Sequence, residues 1–162
     1  VMDTYLAMLE SFSSTIPFKS VLIRGPIMPN QESRDVFKRA RRLGVRTYHF
    51  YRQMEKIFAA AEIVVSMGGY NTLCEILGQG TIGLVIPRET PRKEQVIRAR
   101  AFHRKHLVDY IPWADYTPDL LRDKIFCLLE KPEPYRDAIS KFKLTGIETM
   151  RRRLVKFRCK RA

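Results

Sequence analysis

The sequence is short of acidic side chains, of cysteine and of long apolar runs, and each shortage excludes something. Only 17 Asp and Glu stand against 30 Lys and Arg, a formal net charge of +13. Such an excess points to an anionic partner: nucleotide phosphates, nucleic acid or an acidic membrane face. Seven basic residues and no acidic one fall in residues 151–162, so the tail carries over half of the excess. The three cysteines, Cys74, Cys127 and Cys159, are odd in number and widely spaced. They supply neither a disulfide framework nor a zinc pattern, which favours a reducing, cytoplasmic setting. No apolar run approaches the ~20 residues of a membrane-spanning helix, and no signal-peptide pattern opens the chain. At 162 residues and 45% hydrophobic content, the composition predicts one soluble globular domain, residues 1–162, with a sizeable core and a basic C-terminal tail.

What is present is an alternation of short apolar runs with helix-compatible segments. Residues 3–12 read as a helix with Leu6, Leu9 and Phe12 on its apolar side. Val21, Leu22 and Ile23 form a strand ending in Arg24, Gly25 and Pro26. Residues 33–43 read as a helix with Val36, Phe37, Ala40 and Leu43 inward and Gly44 as its stop. Its other face carries Lys38, Arg39, Arg41 and Arg42, and reads as a solvated face, because no helix-turn-helix or aromatic stacking pattern accompanies it. A strand at residues 45–50 and a helix at 53–61 packing Ile57, Phe58 and Ala61 follow. Beyond the central stretch come a buried strand at 81–87, a basic helix at 93–106 and a last strand at 107–111. Thr117 before Pro118 marks a helix start, with that helix running to about residue 131. One final helix from about residue 138 is expected to carry Phe142, Ile147, Met150, Leu154 and Phe157. Five strands alternating with helices predict an α/β, Rossmann-like doubly wound parallel sheet. That architecture by itself leaves function open.

The stretch 62–95 organises the rest. Ile63, Val64 and Val65 make a strand, Gly68 and Gly69 break it, and residues 70–79 follow as a helix. Ligands in open α/β sheets lie at the carboxyl ends of the strands, where a helix start offers unpaired N–H groups and a positive dipole. A phosphate suits that position. Both glycines permit positive φ and close backbone approach, Asn71 and Thr72 can cap the helix or bond an oxygen, and Glu75 lies about one turn further on, able to accept from a ribose cis-diol. The same residues also fit an ordinary turn followed by a solvated glutamate. Glu94 beside Gln95 combines acceptors and donors at a helix start, suited to sugar hydroxyls or to plain helix-terminus chemistry. His49, His103 and His106 lack a carboxylate or serine at catalytic spacing and read as structural or solvated. Asp109 and Asp115 with Glu75 form no metal cluster, so neither metal nor cofactor is expected.

The run Ser66-Met67-Gly68-Gly69-Tyr70-Asn71-Thr72-Leu73-Cys74-Glu75, then Gly80, Val85-Ile86-Pro87-Arg88, Glu94-Gln95 and Arg98-Ala99, resembles the C-terminal donor domain of GT-B glycosyltransferases. It is similar to that of the bacterial peptidoglycan N-acetylglucosaminyltransferase and of related bacterial transferases, over about residues 21–153. The resemblance implies a nucleotide diphosphate-sugar site, with UDP-sugar as the expected donor. It implies diphosphate binding by Gly68, Gly69, Tyr70 and Thr72, ribose binding by Glu75 and donor-sugar contacts from Glu94 and Gln95. The base would be read near His49, Phe50 and Tyr51, with Phe50 the chosen contact, and Arg88 would meet a phosphate or an acidic sugar.

Two departures accompany the resemblance. Donor domains of this kind begin with a strand and a glycine-rich loop before the first helix, and in the order 3-2-1-4-5-6 that strand is central. Without it, the strands at Val21 and Ile63 lack a shared neighbour. The N-terminal acceptor domain is not represented either, so the expectation is a piece of a longer two-domain enzyme whose catalytic base lies in the other domain. Alternative readings are a nucleotide-sugar epimerase of the same architecture and a non-enzymatic basic module for nucleic acid or anionic lipid. The tail is expected to pack against the partner domain, with peripheral contact to an anionic membrane on its cytoplasmic face as the alternative.

Overall fold

The computed structural model describes residues 1–12, 16–25, 30–91 and 93–159, with the side chains of residues 30, 32, 147 and 155–159 left outside that description. The expected turn residue Pro26, the inward side chains Ile147 and Phe157 and the tail cations Lys156, Arg158, Lys160 and Arg161 lie outside the described residues. The elements run α1 (Met2–Glu10), β1 (Val21–Ile23), α2 (Asn30–Arg42), β2 (Arg46–Tyr48), α3 (Met54–Ala60), β3 (Ile63–Ser66), α4 (Tyr70–Gly78), β4 (Ile82–Val85), α5 (Glu94–His103), β5 (Val108–Tyr110), a 3₁₀ turn (Trp113–Asp115), α6 (Pro118–Glu130), α7 (Glu133–Lys141) and α8 (Gly146–Cys159). No helix among the described residues is long and apolar enough to cross a membrane.

All strand pairs are parallel, but the five strands do not make one continuous sheet. β1 pairs with β2, and separately β3 pairs with β4 and β4 with β5. The break falls between β1 and β3, the two strands expected to lack a shared neighbour. Side chains rather than a ladder join the halves. Leu22 of β1, Ile82 and Leu84 of β4, and Leu6, Met8 and Leu9 of α1 belong to one buried cluster, with Ile63 and Val65 of β3 packed against it. Helix α1 packs on α2 and α6. Arg39 of α2 donates to Asp3 at 3.0 Å and Glu10 at 2.9 Å, Tyr5 hydrogen-bonds Ser20, and the Tyr116 hydroxyl donates to the Val1 carbonyl at 2.9 Å.

Strand β4 is buried on both faces, which its run Ile82-Gly83-Leu84-Val85 permits. Helix α4 buries Leu73, Ile76 and Leu77, spaced as one helical face. A second buried cluster, Leu73, Val85, Ala99 and Val108, lies where α4, β4, α5 and β5 meet. Thr117 caps α6 as expected, its Oγ1 accepting from Leu120 N–H at 3.2 Å. The expectation of one final helix is corrected: α7 and α8 are separate. Pro134 fits the first turn of α7, so that helix begins well before residue 138. It stops at Phe142, which turns to extended backbone and packs its ring into the core beside Phe102, 6.1 Å between centroids. On α8, Met150 and Leu154 are exposed at 64% and 63%.

Candidate functional site

Strand β3 delivers the chain into a two-glycine elbow whose first member is held there by two separate constraints. Gly68 has φ of +71°, a conformation that disfavours any Cβ. A Cβ at Gly68 would also lie 2.5 Å from Cγ1 of Val85, which is fully buried in β4. The elbow therefore sits directly on the second core cluster. Gly69 differs: its φ of −56° and ψ of 146° are open to other residues, and a Cβ there would meet only Thr72 Oγ1 at 3.7 Å.

Gly69 is the N-cap of α4, and no side chain caps the helix. The expectation that Asn71 or Thr72 would cap is thus corrected, because both lie inside the first turn. The first-turn N–H groups have no intrahelical acceptor, and they sit at the positive end of the helix dipole. Backbone donors, a bare glycine and exposed Tyr70 form the mouth of the elbow.

Helix α5 holds this mouth from the side. Arg98 donates from Nη1 to the Gly68 carbonyl at 2.9 Å, and its guanidinium lies 5.6 Å from the centre of the Tyr70 ring, a cation–π distance. One residue thereby pins the left-handed glycine and steadies the first residue of α4. Gln95, one turn earlier, accepts the backbone N–H of Arg88 at 2.9 Å through Oε1, tying α5 to the loop after β4. Among the described residues its amide NH₂ has no acceptor. Glu75 and Glu94 are exposed, and among the described residues neither makes a hydrogen bond or ion pair. Two contacts from α5 thus border the carboxyl ends of β3 and β4: Arg98 on Gly68 and Tyr70, and Gln95 on Arg88.

Phe50 stands apart from those contacts, just beyond β2 in the other sheet. His49 packs tilted against Phe37 with centroids 4.7 Å apart, and Tyr51 meets Tyr48 edge-on at 5.2 Å. Phe50, between them, is 69% exposed and makes no ring contact among the described residues.

Two residues present in the sequence, Arg98 and Asp109, have roles that only the structure shows. Arg98 sits three and four residues after Gln95 and Glu94, so helical spacing alone places it on their face. Asp109 of β5 is buried and accepts from Lys124 Nζ at 2.8 Å and from the Tyr110 N–H at 2.8 Å, with His103 Nδ1 3.2 Å away. His103 Nδ1 also faces the Val108 carbonyl at 3.3 Å. This cluster centres on the middle residue of β5, which pairs with Leu84 of β4, and joins β5 to α5 and α6. Burial, with Asp109 and Cys127 adding, pushes the neighbouring Tyr135 up to about 12. Among the described residues no group of three His, Cys, Asp or Glu is placed to hold a metal ion.

Parallel strands, alternating helices and a glycine elbow at their carboxyl edge define a Rossmann-like α/β domain of the GT-B type. More specifically, the chain belongs to the glycosyltransferase family 28 C-terminal domain family, which it matches over residues 7–153. Its fold is similar to that of the glycosyltransferase VinC in complex with dTDP, with a TM-score of 0.64 and 18% identity, over 85% of this chain and 31% of that one. It is similar also to MurG of Acinetobacter baumannii, with a TM-score of 0.57 and 13% identity, over 82% of this chain and 46% of that one. Over 84 residues, 51% of the chain, it is 32% identical to the UDP-N-acetylglucosamine–N-acetylmuramyl-(pentapeptide) pyrophosphoryl-undecaprenol N-acetylglucosamine transferase of Streptococcus pneumoniae (strain Hungary19A-6). The matched stretch spans 24% of that enzyme's length.

Proposed function

We propose that this chain is the donor-binding half of an inverting hexosyl- or N-acetylhexosaminyltransferase that uses a nucleoside diphosphate-sugar with uridine as its base. The observation that carries this reading is the elbow at Gly68: a left-handed glycine seated on Val85, an uncapped helix start and a bracing Arg98. Such a mouth offers backbone donors and a cation to a diphosphate and little to a neutral ligand. The family membership and the dTDP held by VinC support a nucleoside diphosphate on a domain of this kind.

Gly68, Gly69, Tyr70 and Thr72 receive the diphosphate. Glu75 accepts from the ribose hydroxyls, Phe50 covers the base, Glu94 and the free amide of Gln95 meet the donor sugar, and Arg88 meets a phosphate or an acidic sugar. In inverting transfer an acceptor hydroxyl attacks the anomeric carbon opposite the diphosphate. The bond to the diphosphate breaks as the new bond forms, and a base takes the hydroxyl proton. This domain stabilises the departing diphosphate through the α4 N–H groups and Arg98. The base and acceptor groove belong to an N-terminal partner domain, so the domain alone transfers no sugar. The exposed Met150 and Leu154 on α8 support packing of the C-terminal helix against that partner. A cytoplasmic setting, with the basic tail near an anionic membrane, fits the same charge.

Calorimetric titration of UDP into wild type and Glu75→Ala tests the reading. Loss of a hydrogen bond to a charged group costs ~1.5–3 kcal/mol, roughly a ten- to hundredfold weakening. A folded wild type that ignores UDP, or a variant that binds it equally well, removes the proposal.

A further inference from the structure

Four cations of α2 gather on a recess that the donor site does not use. Arg34, Lys38, Arg41 and Arg42 fall at i, i+4, i+7 and i+8, one stripe of the helix. Together with Phe37 and His49 they line an open groove of about 510 Å³, and among the described residues no carboxylate lines it. Phe37, 3% exposed, is its floor, and the ring of His49 leans on it from the end of β2. Arg39, in the same helix, is occupied by Asp3 and Glu10. Among the described residues the other four make no hydrogen bond or ion pair through their side chains. Like charges three and four residues apart on a helix repel one another, so the sequence maintains a local cost that an anion in the groove would relieve.

We propose that this groove binds an oligophosphate chain carrying three or more negative charges, a site separate from the elbow whose His49 edge adjoins Phe50, to which the donor reading gives the base. The shape favours a compact ligand. The volume lies within the ~300–1,000 Å³ of small-molecule sites, and the stripe of cations extends only ~12 Å along the helix at 1.5 Å per residue. A nucleic-acid strand would call for a longer basic track with rings free for stacking, whereas Phe37 is already covered. A flat bilayer would meet the rim of a recess rather than its lining. Three of the four cations are arginines, whose planar forks pair with phosphate oxygens in bidentate fashion.

Inorganic tripolyphosphate titrated into the purified chain, with UDP already at saturation, is the direct test. Saturable binding is expected to survive UDP and to weaken by about tenfold or more in Lys38→Glu/Arg41→Glu, while UDP affinity stays within about twofold. Both side chains are exposed and unpaired among the described residues, so the variant is expected to melt as wild type does. Arg34→Gln/Arg42→Gln provides a milder second reading from the same groove. Unaltered tripolyphosphate binding in both variants, or its complete displacement by UDP, would overturn the proposal. So would groove-dependent binding of phosphatidylglycerol vesicles or a single-stranded oligonucleotide by a chain that ignores tripolyphosphate. Failure of UDP to bind would count against the donor reading alone, because the tripolyphosphate measurement can be made without it.

Discussion

Replacing Gly68 by Ala strikes the elbow at its most constrained atom. The added Cβ faces two costs. Holding a non-glycine residue at φ +71° costs ~1–2 kcal/mol. Placing a carbon 2.5 Å from Val85 Cγ1 forces a shift of about 1 Å toward ordinary contact, in a cluster whose members Leu73, Val85, Ala99 and Val108 are all fully buried. Overpacking of that sort costs ~1–3 kcal/mol. The total, ~2–5 kcal/mol, is a large part of the ~5–15 kcal/mol that stabilises a typical domain. Gly69→Ala is the control. Its backbone is compatible with Ala, which gains ~0.4–1 kcal/mol through the unfolded state against a loss of similar size at an N-cap. Urea unfolding of both variants, and of Gly68→Ala with Val85→Ala, separates the terms. The double variant is expected to recover the steric part but not the dihedral part, giving a favourable coupling of ~1–3 kcal/mol. A Gly68→Ala chain destabilised by less than about 1 kcal/mol, or one showing no coupling to Val85, would refute the seating argument.

Arg98→Ala frees the Gly68 carbonyl and the Tyr70 ring together, and is expected to weaken UDP binding by about tenfold or more at a stability loss of only ~1–2 kcal/mol; calorimetry and urea unfolding read the two effects. Arg98→Lys keeps the charge but not the planar fork, and is expected to restore only part of the affinity. Tyr116 and Tyr135 are raised by burial from 10.0 to about 12. A raised folded-state value means that their contribution is complete below pH 10 and is lost as pH rises through about 12. Phenolate absorbance of these two should therefore lag behind that of the exposed tyrosines, with unfolding in alkali bringing them level. Incubation of the chain with labelled UDP-sugars and a panel of acceptors is expected to give no acceptor-dependent transfer, and robust transfer would place a catalytic base within these residues.

The parts of this molecule legible in the sequence are those fixed by local chemistry. A Gly-Gly pair between a β-branched run and a helix admits few conformations, so the elbow was readable, as were the Thr117-Pro118 start and the inward faces of α1 and α2. The break between β1 and β3 was also readable, as a missing shared neighbour. Side-chain partners distant in sequence were not. Arg98 meets a backbone carbonyl 30 residues earlier, and Asp109 meets Lys124 fifteen residues later. Asn71 and Thr72 had the composition of caps, yet the turn puts Gly69 in the capping position. The basic face of α2 read as uniformly solvated because sequence alone cannot separate Arg39, drawn off by α1, from the four cations around the groove. Pro134 in the first turn sets the early start of α7, whereas its stop depends on Phe142 packing into the core beside Phe102, a residue forty positions earlier.

The claim that a nucleoside diphosphate binds at the elbow is tested most directly by an amide-resolved NMR titration with UDP. The account predicts saturable shifts concentrated at residues 66–75, 88 and 94–98. Saturable shifts confined to other residues, or none with UDP, dTDP, GDP or ADP, would contradict it.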